Sequence, residues 1–394
     1  MSNALKGIRV LDISEVYAGP GAAMYLADQG ADVIKVEPPR GDNCRTLFTS
    51  DYLGNMSKPF LALNRNKRAI VLDLTKENAQ KVLHRMVAGS DVVIVNARST
   101  VAKRLALDCE TLQTINPRLV YAAISAFGPQ GPDAGKPGYD LVLQARAGIL
   151  AARRYPDGTP VAHSVMVSDM SGASMLAYAI TAALFERERT GRGRRIDISL
   201  LGMSIAMQAQ QLVRVANDGA PTSSTMGNAL YSPYRCLDGK YLIPVILTNE
   251  QWGRLCGVLG LEHLARDPDY DTYVKRLAHN QEMAELLAGI FETRPRGEWL
   301  RLLEEADIPC SVIAEGEEVF NDPQLRANQY IIDYPHPQVG MVTMMGSPYS
   351  FDGEPYTVKL PAPTLGQHTD EVLREIGFTE TQIRELKDEG ILGT

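Results

Sequence analysis

Asp157 stands between Pro156 and Gly158, thirteen residues after Gln144, at the end of the stretch Gly138-Tyr139-Asp140-Leu141-Val142-Leu143-Gln144 and Tyr155-Pro156-Asp157-Gly158-Thr159-Pro160. A lone carboxylate on a glycine-flanked turn behind an apolar helix can be held open to a ligand and act as a nucleophile. The same triplet is also a turn former for local reasons, since proline fixes φ, aspartate bonds its own backbone and glycine accepts positive φ. A second carboxylate, Asp169, comes just before Met170-Ser171-Gly172 and reads as the cap of a helix N-terminus. His163, His336 and His368 have no spacing that suggests a metal or a triad, and no metal site is expected. The five cysteines, Cys44, Cys109, Cys236, Cys256 and Cys310, are scattered without a C-x-x-C pair and read as reduced thiols.

A glycine-rich turn raises dinucleotide binding. Gly19-Pro20-Gly21-Ala22-Ala23-Met24 follows a strand signal, and Glu37 ends the next one. The fingerprint fails in detail: Met24 fills the third small position, and Pro20 removes an amide that would cradle phosphate.

These residues need a scaffold, and the first half alternates strand and helix signals. Strands are expected at residues 8–13, 31–36, 69–72, 91–95, 119–124 and 195–199. Helices are expected at residues 21–29, at 76–87 and over the long run 168–190, with a Met-rich helix starting near Leu200. Such alternation implies an α/β fold with a parallel sheet covered by helices. Ligands in that architecture sit beyond the carboxyl ends of the strands. Composition changes after Ala216, where Asn217-Asp218-Gly219-Ala220-Pro221 reads as a linker. Tyr241 to Val245 and helical runs near Asn249, Asn280 and Gly297 then suggest a smaller α+β unit. The terminal segment, beyond about residue 345, carries two helices and is expected to rejoin the first unit.

The 394 residues, 45% hydrophobic and 22% charged, suffice for two domains. A formal charge of −7 argues against nucleic acid as main partner. No apolar run approaches a membrane span and the start lacks a signal-peptide pattern, so no membrane partner and a cytoplasmic location are expected.

The order Tyr139, Gln144, Gly148, Asp157 resembles the active-site segment of the class III CoA-transferases, the family of formyl-CoA and carnitine CoA-transferases. Further blocks carry the likeness through almost the whole chain: Val16-Tyr17-Ala18-Gly19-Pro20, Gly30 to Glu37, Gly41-Asp42, Asn64-Arg65-Asn66-Lys67-Arg68, Asn116-Pro117-Arg118, Thr190-Gly191-Arg192-Gly193 and Leu365-Gly366-Gln367-His368-Thr369-Asp370. The resemblance implies a Rossmann-like large domain built from residues 1–216 and 345–394, a small α+β domain at 228–320, linkers at 217–227 and 321–344, and an interlocked homodimer. It implies CoA contacts at Val16, Ala18, Leu72, Thr75, Asn96, Ala97, Arg104 and Ser125, with Arg40 and Arg98 as further candidates for phosphate. Tyr17, Leu47, Tyr139 and Gly227 fall in the implied substrate pocket. The glutamine and tryptophan of oxalate-acting members are absent at Tyr17 and near Leu47, and a run of glycines over the site is replaced by Met226-Gly227-Asn228, leaving Gly227 as a hinge.

The implied activity is transfer of CoA from an acyl-CoA to a carboxylic acid, with CoA as substrate and no permanently bound cofactor. Asp157 would attack the thioester to form a mixed anhydride, and aspartyl-CoA would follow. Two alternatives stand. The α-methylacyl-CoA racemases of the same superfamily use a histidine at the Tyr139 position and an aspartate at the Asp169 position; here the aspartate is present and the histidine is not. A non-catalytic CoA-binding protein is the other.

Overall fold

The computed structural model describes residues 3–47, 56–155, 157–162, 164–209, 211–216 and 228–393. The chain forms two compact units: residues 1–151, 156–212 and 323–394, and residues 152–155 with 213–322.

The first unit is built on a six-stranded sheet of β1 (Arg9–Asp12), β2 (Asp32–Glu37), β3 (Lys67–Val71), β4 (Val92–Val95), β5 (Val120–Ser125) and β6 (Arg195–Ser199). The order is β3-β2-β1-β4-β5-β6 and every pairing is parallel. Register places Val10 opposite both Val33 and Val92, so the buried valines of the three central strands stack in one row. Alternate residues of each strand point to opposite faces. Leu11, Ile34, Ile70, Val93 and Val95 pack on one side with α3 (Glu77–Ala88) and α5 (Cys109–Ile115), while Val10, Val33, Ile94 and Ala122 pack on the other with α1 (Ala18–Asp28) and α7 (Val167–Thr190). Both faces are thus dry, which is why the strands read as apolar runs. Short helices α2 (Lys58–Leu63), α4 (Ser99–Arg104), α6 (Asp140–Arg146) and α8 (Leu200–Ala206) complete this part.

Helix α1 begins three residues earlier than the periodicity suggests, at Ala18 rather than Gly21. Pro20 is tolerated there because a first-turn amide has no intrahelical acceptor to lose. Gly21 has a packing reason: a Cβ on it would lie 2.9 Å from the Cβ of Ala173, so α1 and α7 approach backbone to backbone.

In the second unit, β7 (Tyr234–Arg235), β8 (Tyr241–Pro244) and β9 (Cys310–Val312) form a small antiparallel sheet. Helices α9 (Asn249–Leu259), α10 (Glu262–Ala265), α11 (Tyr273–Ala278), α12 (Asn280–Phe291), α13 (Arg296–Glu305) and α14 (Glu317–Phe320) surround it. Its core is Trp252, Leu255, Met283, Leu287, Phe291 and Trp299.

The chain returns to the first unit through α15 (Pro323–Ala327). Residues 321–344, expected as a linker, mostly fold: β10 (Ile331–His336) and β11 (Gly340–Met345) form an antiparallel hairpin. Alternate burial along β10, with Ile332, Tyr334 and His336 inward, explains why. The last helices, α16 (Thr369–Glu375) and α17 (Glu380–Asp388), put Val372, Leu373, Ile383 and Leu386 into the core cluster that covers the α3 face of the sheet. The expected linker 217–227, with Gly227, lies outside the described residues, as do Pro156 and His163. All five cysteines are free thiols, and no described helix is long and apolar enough to cross a membrane.

Candidate active site

The strand order reverses direction between β1 and β4, and a crevice opens at such a point beyond the carboxyl ends of the strands. The residues named for CoA contact fall there by chain position. Val16, Tyr17 and Ala18 follow β1, Arg40 follows β2, Leu72 and Thr75 follow β3, Asn96, Ala97, Arg98 and Arg104 follow β4, and Ser125 ends β5. Hydrogen bonds tie several together. The Asn96 side chain donates to the Glu15 carbonyl at 2.7 Å and accepts the Glu15 amide at 3.1 Å, which stitches the β4 end to the β1 end. Glu15 in turn pairs with Arg40 at 2.7 Å.

The candidates differ in availability. Leu72 and Ala18 are buried and offer a ligand backbone or edge only. Thr75 is exposed and donates its hydroxyl to Asp73. Arg40 is occupied by Glu15, Asn43 and the Gly41 carbonyl. Arg98 and Arg104 are exposed and form no ion pair among the described residues, so their guanidinium groups can meet a phosphate without breaking a bond. Ser125 accepts the Gly128 amide at 3.1 Å. Leu47 and Tyr139 are exposed side chains.

The turn from β1 into α1 is under strain. Val16 has φ of +78°, a left-handed conformation that a β-branched residue adopts only when its surroundings impose it. Gly19 completes the turn, because a Cβ there would lie 2.1 Å from the Ser14 hydroxyl oxygen. The turn delivers Tyr17 to the front of α1. Burial first, then neighbouring Cys44 and the carboxylate of Asp169, hold the Tyr17 phenol above its ordinary range.

Asp169 and Asp157 are therefore in contrasting places. Asp157 is exposed on its turn, where its carboxylate accepts the Thr159 amide at 2.9 Å and is held below the usual carboxylate range by that bond. Asp169 is 8% exposed, in the first turn of α7, and its pKa is pushed up to about 7 by burial and then by the charge of Asp140. Perturbation of this kind, from desolvation plus one specific neighbour, marks functional carboxylates more often than structural ones.

Asp169 does not cap its helix as its sequence position suggests. The cap position is Met166, which makes no side-chain cap bond, and the acceptor for the α7 amides comes from another helix. Asp140, in the first turn of α6, accepts the Asp169 amide at 2.8 Å and holds Gln144 through its other carboxylate oxygen. Gln144 also donates to the Val165 carbonyl at 3.2 Å, just ahead of α7. Asp140 and Gln144 thus fasten the entry of α7 to α6. Their roles were legible only as a Tyr-Asp and a Gln of unknown purpose.

Sequence reading also missed a set of charges beneath the turn. Asp12, Lys35, Glu37, Asp42, Arg45 and Lys67 are all at most 3% exposed, three cations among three carboxylates. Lys67 donates to Asp12 at 2.9 Å and to the Pro20 carbonyl in α1 at 2.8 Å, and burial brings its pKa down to about 8. Arg45 and Glu37 form a two-pronged pair with both bonds at 2.7 Å. The available signal was a charged residue inside apolar strands: Asp12 in β1, Lys35 in β2 and Lys67 in β3.

Among the described residues no cluster of three or more His, Cys, Asp or Glu is placed to hold a metal. The arrangement offers an elevated carboxylate, a phenol and the start of α1, which suits attack on a carbonyl carbon or proton transfer next to one.

Comparison with known proteins agrees with that chemistry. Residues 5–369 match the model of CoA-transferase family III. Over 95% of the chain and 96% of the relative's length, the sequence is 35% identical to a succinate–glutarate CoA-transferase of Agrobacterium fabrum. It is 32% identical to a formyl-CoA:oxalate CoA-transferase of Streptomyces coelicolor over 99% of this chain and 100% of that one. A CaiB/BaiF family protein from Brucella suis has a crystal structure similar to this fold, with a TM-score of 0.84 at 32% identity, covering 95% of this chain and 100% of that one.

Proposed function

Because the chain belongs to CoA-transferase family III, an enzyme family that moves CoA between acyl groups, we propose that Asp169 is the carboxylate that carries the acyl group in this protein. The observation behind the reading is its pKa near 7 in a buried position beside Tyr17. Asp157, to which the sequence pattern assigned the role, is solvated and weakly basic, and a more basic carboxylate is the better nucleophile.

In the proposed sequence, an Asp169 carboxylate oxygen attacks the thioester carbon and CoA leaves as thiolate, giving an aspartyl acyl anhydride. The thiolate then attacks the aspartyl carbonyl, releasing the donor acid and leaving aspartyl-CoA. The acceptor carboxylate attacks that thioester, again expelling thiolate and forming a second anhydride. The thiolate takes the new acyl group from it and frees Asp169. Each intermediate is as activated as the one before, so the thioester energy is conserved as long as water is excluded. Asp140 holds the Asp169 backbone through its amide, Gln144 ties Asp140 to the segment ahead of α7, and Tyr17 lines the reacting centre.

The strand order β3-β2-β1-β4-β5-β6 supports a Rossmann-like reading of the large unit, with CoA across its switch point. Arg98 and Arg104 are then the phosphate partners. Dicarboxylic acids are the favoured substrates, given the succinate–glutarate relative.

Assembly as a homodimer is supported by α7 itself, which is apolar on two sides. Ala173, Leu176, Ala177, Ile180 and Leu184 face the core, while Met175, Tyr178 and Phe185 form an exposed stripe at helical spacing. An exposed apolar stripe of this size on a helix whose other face is already in the core marks a surface for a partner.

A panel of acyl-CoA donors and acids, read by mass spectrometry of the CoA esters, tests the activity. Hydroxylamine added during turnover should convert one aspartate to its hydroxamate, and a label on the peptide of Asp157 instead of Asp169 would reverse the assignment. A racemase, the second reading that an aspartate near pKa 7 permits, would exchange the α-hydrogen of a 2-methylacyl-CoA with deuterium from solvent and leave no adduct.

A further inference from the structure

We propose that Asp42 is a positioning residue for the transfer reaction, acting through the strained turn at Val16. It deepens the reading of Asp169 and Tyr17 given above and rests on it. One carboxylate oxygen of Asp42 accepts the Val16 amide at 3.0 Å and the Cys44 amide at 2.8 Å. The other lies 2.7 Å from the Lys35 ammonium, as an ion pair and not an aligned hydrogen bond. Lys35 donates to the Ser14 carbonyl at 3.0 Å. Asp42 thus grips the turn directly at Val16 and, through Lys35, two residues earlier.

All of these groups are out of water: Asp42 is 1% exposed, Lys35 0% and Ser14 1%. Asp42 is itself held, since its amide donates to Glu37 at 2.9 Å and Glu37 is fixed by Arg45. The clamp is therefore anchored on strand β2 and on the short helical turn Asn43–Arg45 that Asp42 caps. At 1% exposure Asp42 offers no surface to substrate, so it acts through the turn. What it determines is the backbone at Val16, held at φ of +78°, a left-handed conformation that strains a β-branched residue. Without the clamp, Val16 relaxes towards negative φ, Tyr17 swings away from Asp169, and the first amides of α1 turn with it.

A glycine at position 16 adopts positive φ freely. It should therefore make the clamp dispensable, and the test is a double-mutant cycle of Asp42→Ala and Val16→Gly. Transfer from succinyl-CoA to glutarate is measured per folded chain, with folded fraction taken from circular dichroism. Asp42→Ala is expected to lower kcat at least tenfold. Adding Val16→Gly should recover at least fivefold of that loss while the melting temperature stays at the Asp42→Ala value, because the lost ion pair is not restored. If Asp42→Ala does not fold, Asp42→Asn takes its place in the cycle. A kcat within twofold of the parent in either Asp42 variant, or a loss that Val16→Gly leaves untouched, overturns the proposal. Failure of the underlying reading would look different: Asp169→Asn would keep turnover, whatever Asp42 does.

Discussion

The carboxylate of Asp140 accepts the backbone amide of Asp169 at 2.8 Å and at the same time raises the pKa of the Asp169 side chain. One group thus fixes where the second carboxylate stands and how basic it is, and burial supplies the larger share of that basicity.

Asp140→Asn separates the two effects. The amide oxygen still accepts the Asp169 N–H while the new NH2 group loses the bond from Gln144, and the charge is gone, so Asp169 should become more acidic while burial keeps it above 3.8. The acidic limb of kcat/KM, set near 7 by Asp169 in the parent, should move to lower pH by about half a unit to one unit. An unmoved limb would show that Asp140 only anchors the helix.

Asp169→Asn should abolish transfer, by about a thousandfold or more, with CoA binding retained. Its effect on stability has a definite sign. The folded pKa of about 7 lies above the ordinary 3.8, so the folded state holds the proton longer than the unfolded one. Stability is therefore greatest below pH 4, falls as pH rises towards 7, and carries the full penalty above it. The asparagine variant escapes this penalty, up to about 4 kcal/mol as an upper bound, and should melt several degrees higher than the parent at pH 8. Thermal denaturation at pH 4 and pH 8 checks it. Asp157→Ala, an exposed turn change, should leave both melting curves close to those of the parent.

Strand positions and the long helix were readable because both faces of the sheet are dry and α7 runs uninterrupted from Val167 to Thr190. Residues 195–199 are a strand to the residue. The hairpin at 331–345 was not readable, since Pro335 and Gly340 resemble a loop and the outer face mixes Asp333 and Thr343 with the exposed Met341. The proposal of Asp169 in place of Asp157 rests on three dimensions. Both follow Gln144 on one chain, yet burial, which raises a carboxylate, depends on α1 and α6 closing over Asp169. Lys35, Lys67 and Asp42 were invisible as a set because their partnerships span up to 55 residues.

Arg104→Ala should raise KM for acyl-CoA about tenfold with a smaller change in kcat. A charge-assisted bond to phosphate contributes about 1.5 to 3 kcal/mol, and Arg104 is exposed and unpaired among the described residues. Arg40→Ala should do less, because its guanidinium is already bonded to Glu15 and Asn43. Initial rates over a range of CoA ester concentration separate the two.

Lys67→Met removes the cation shared by Asp12, Asn64 and the Pro20 carbonyl. Asp12 keeps Ser14 and the Lys35 ammonium at 3.9 Å, so its charge is only partly orphaned. Breaking a buried pair by removing one partner costs about 3 to 5 kcal/mol, and the remaining partners place this variant near the lower end. Urea denaturation at pH 7 would measure it, and a loss under 1 kcal/mol would mean that the six charges are not acting as one network.

Gly21→Ala puts a methyl 2.9 Å from the Cβ of Ala173, between the helix that follows Tyr17 and the helix that carries Asp169. Alanine raises helix propensity by about 1 kcal/mol over glycine. Overpacking a close helix contact costs about 1 to 3 kcal/mol, so the net effect is a modest loss of stability. Catalysis should suffer more, because the methyl can be accommodated only by separating α1 from α7, and that separation falls directly on the distance between Tyr17 and Asp169. Adding Ala173→Gly removes the opposing methyl at a further cost of about 1 kcal/mol in helix propensity. Relief of the overpacking, about 1 to 3 kcal/mol, meets or exceeds that cost, so the double variant should regain kcat and be at least as stable as Gly21→Ala alone. Recovery of kcat in the double variant would tie turnover to the helix spacing; a kcat that stays at the Gly21→Ala value would show that the spacing does not set it.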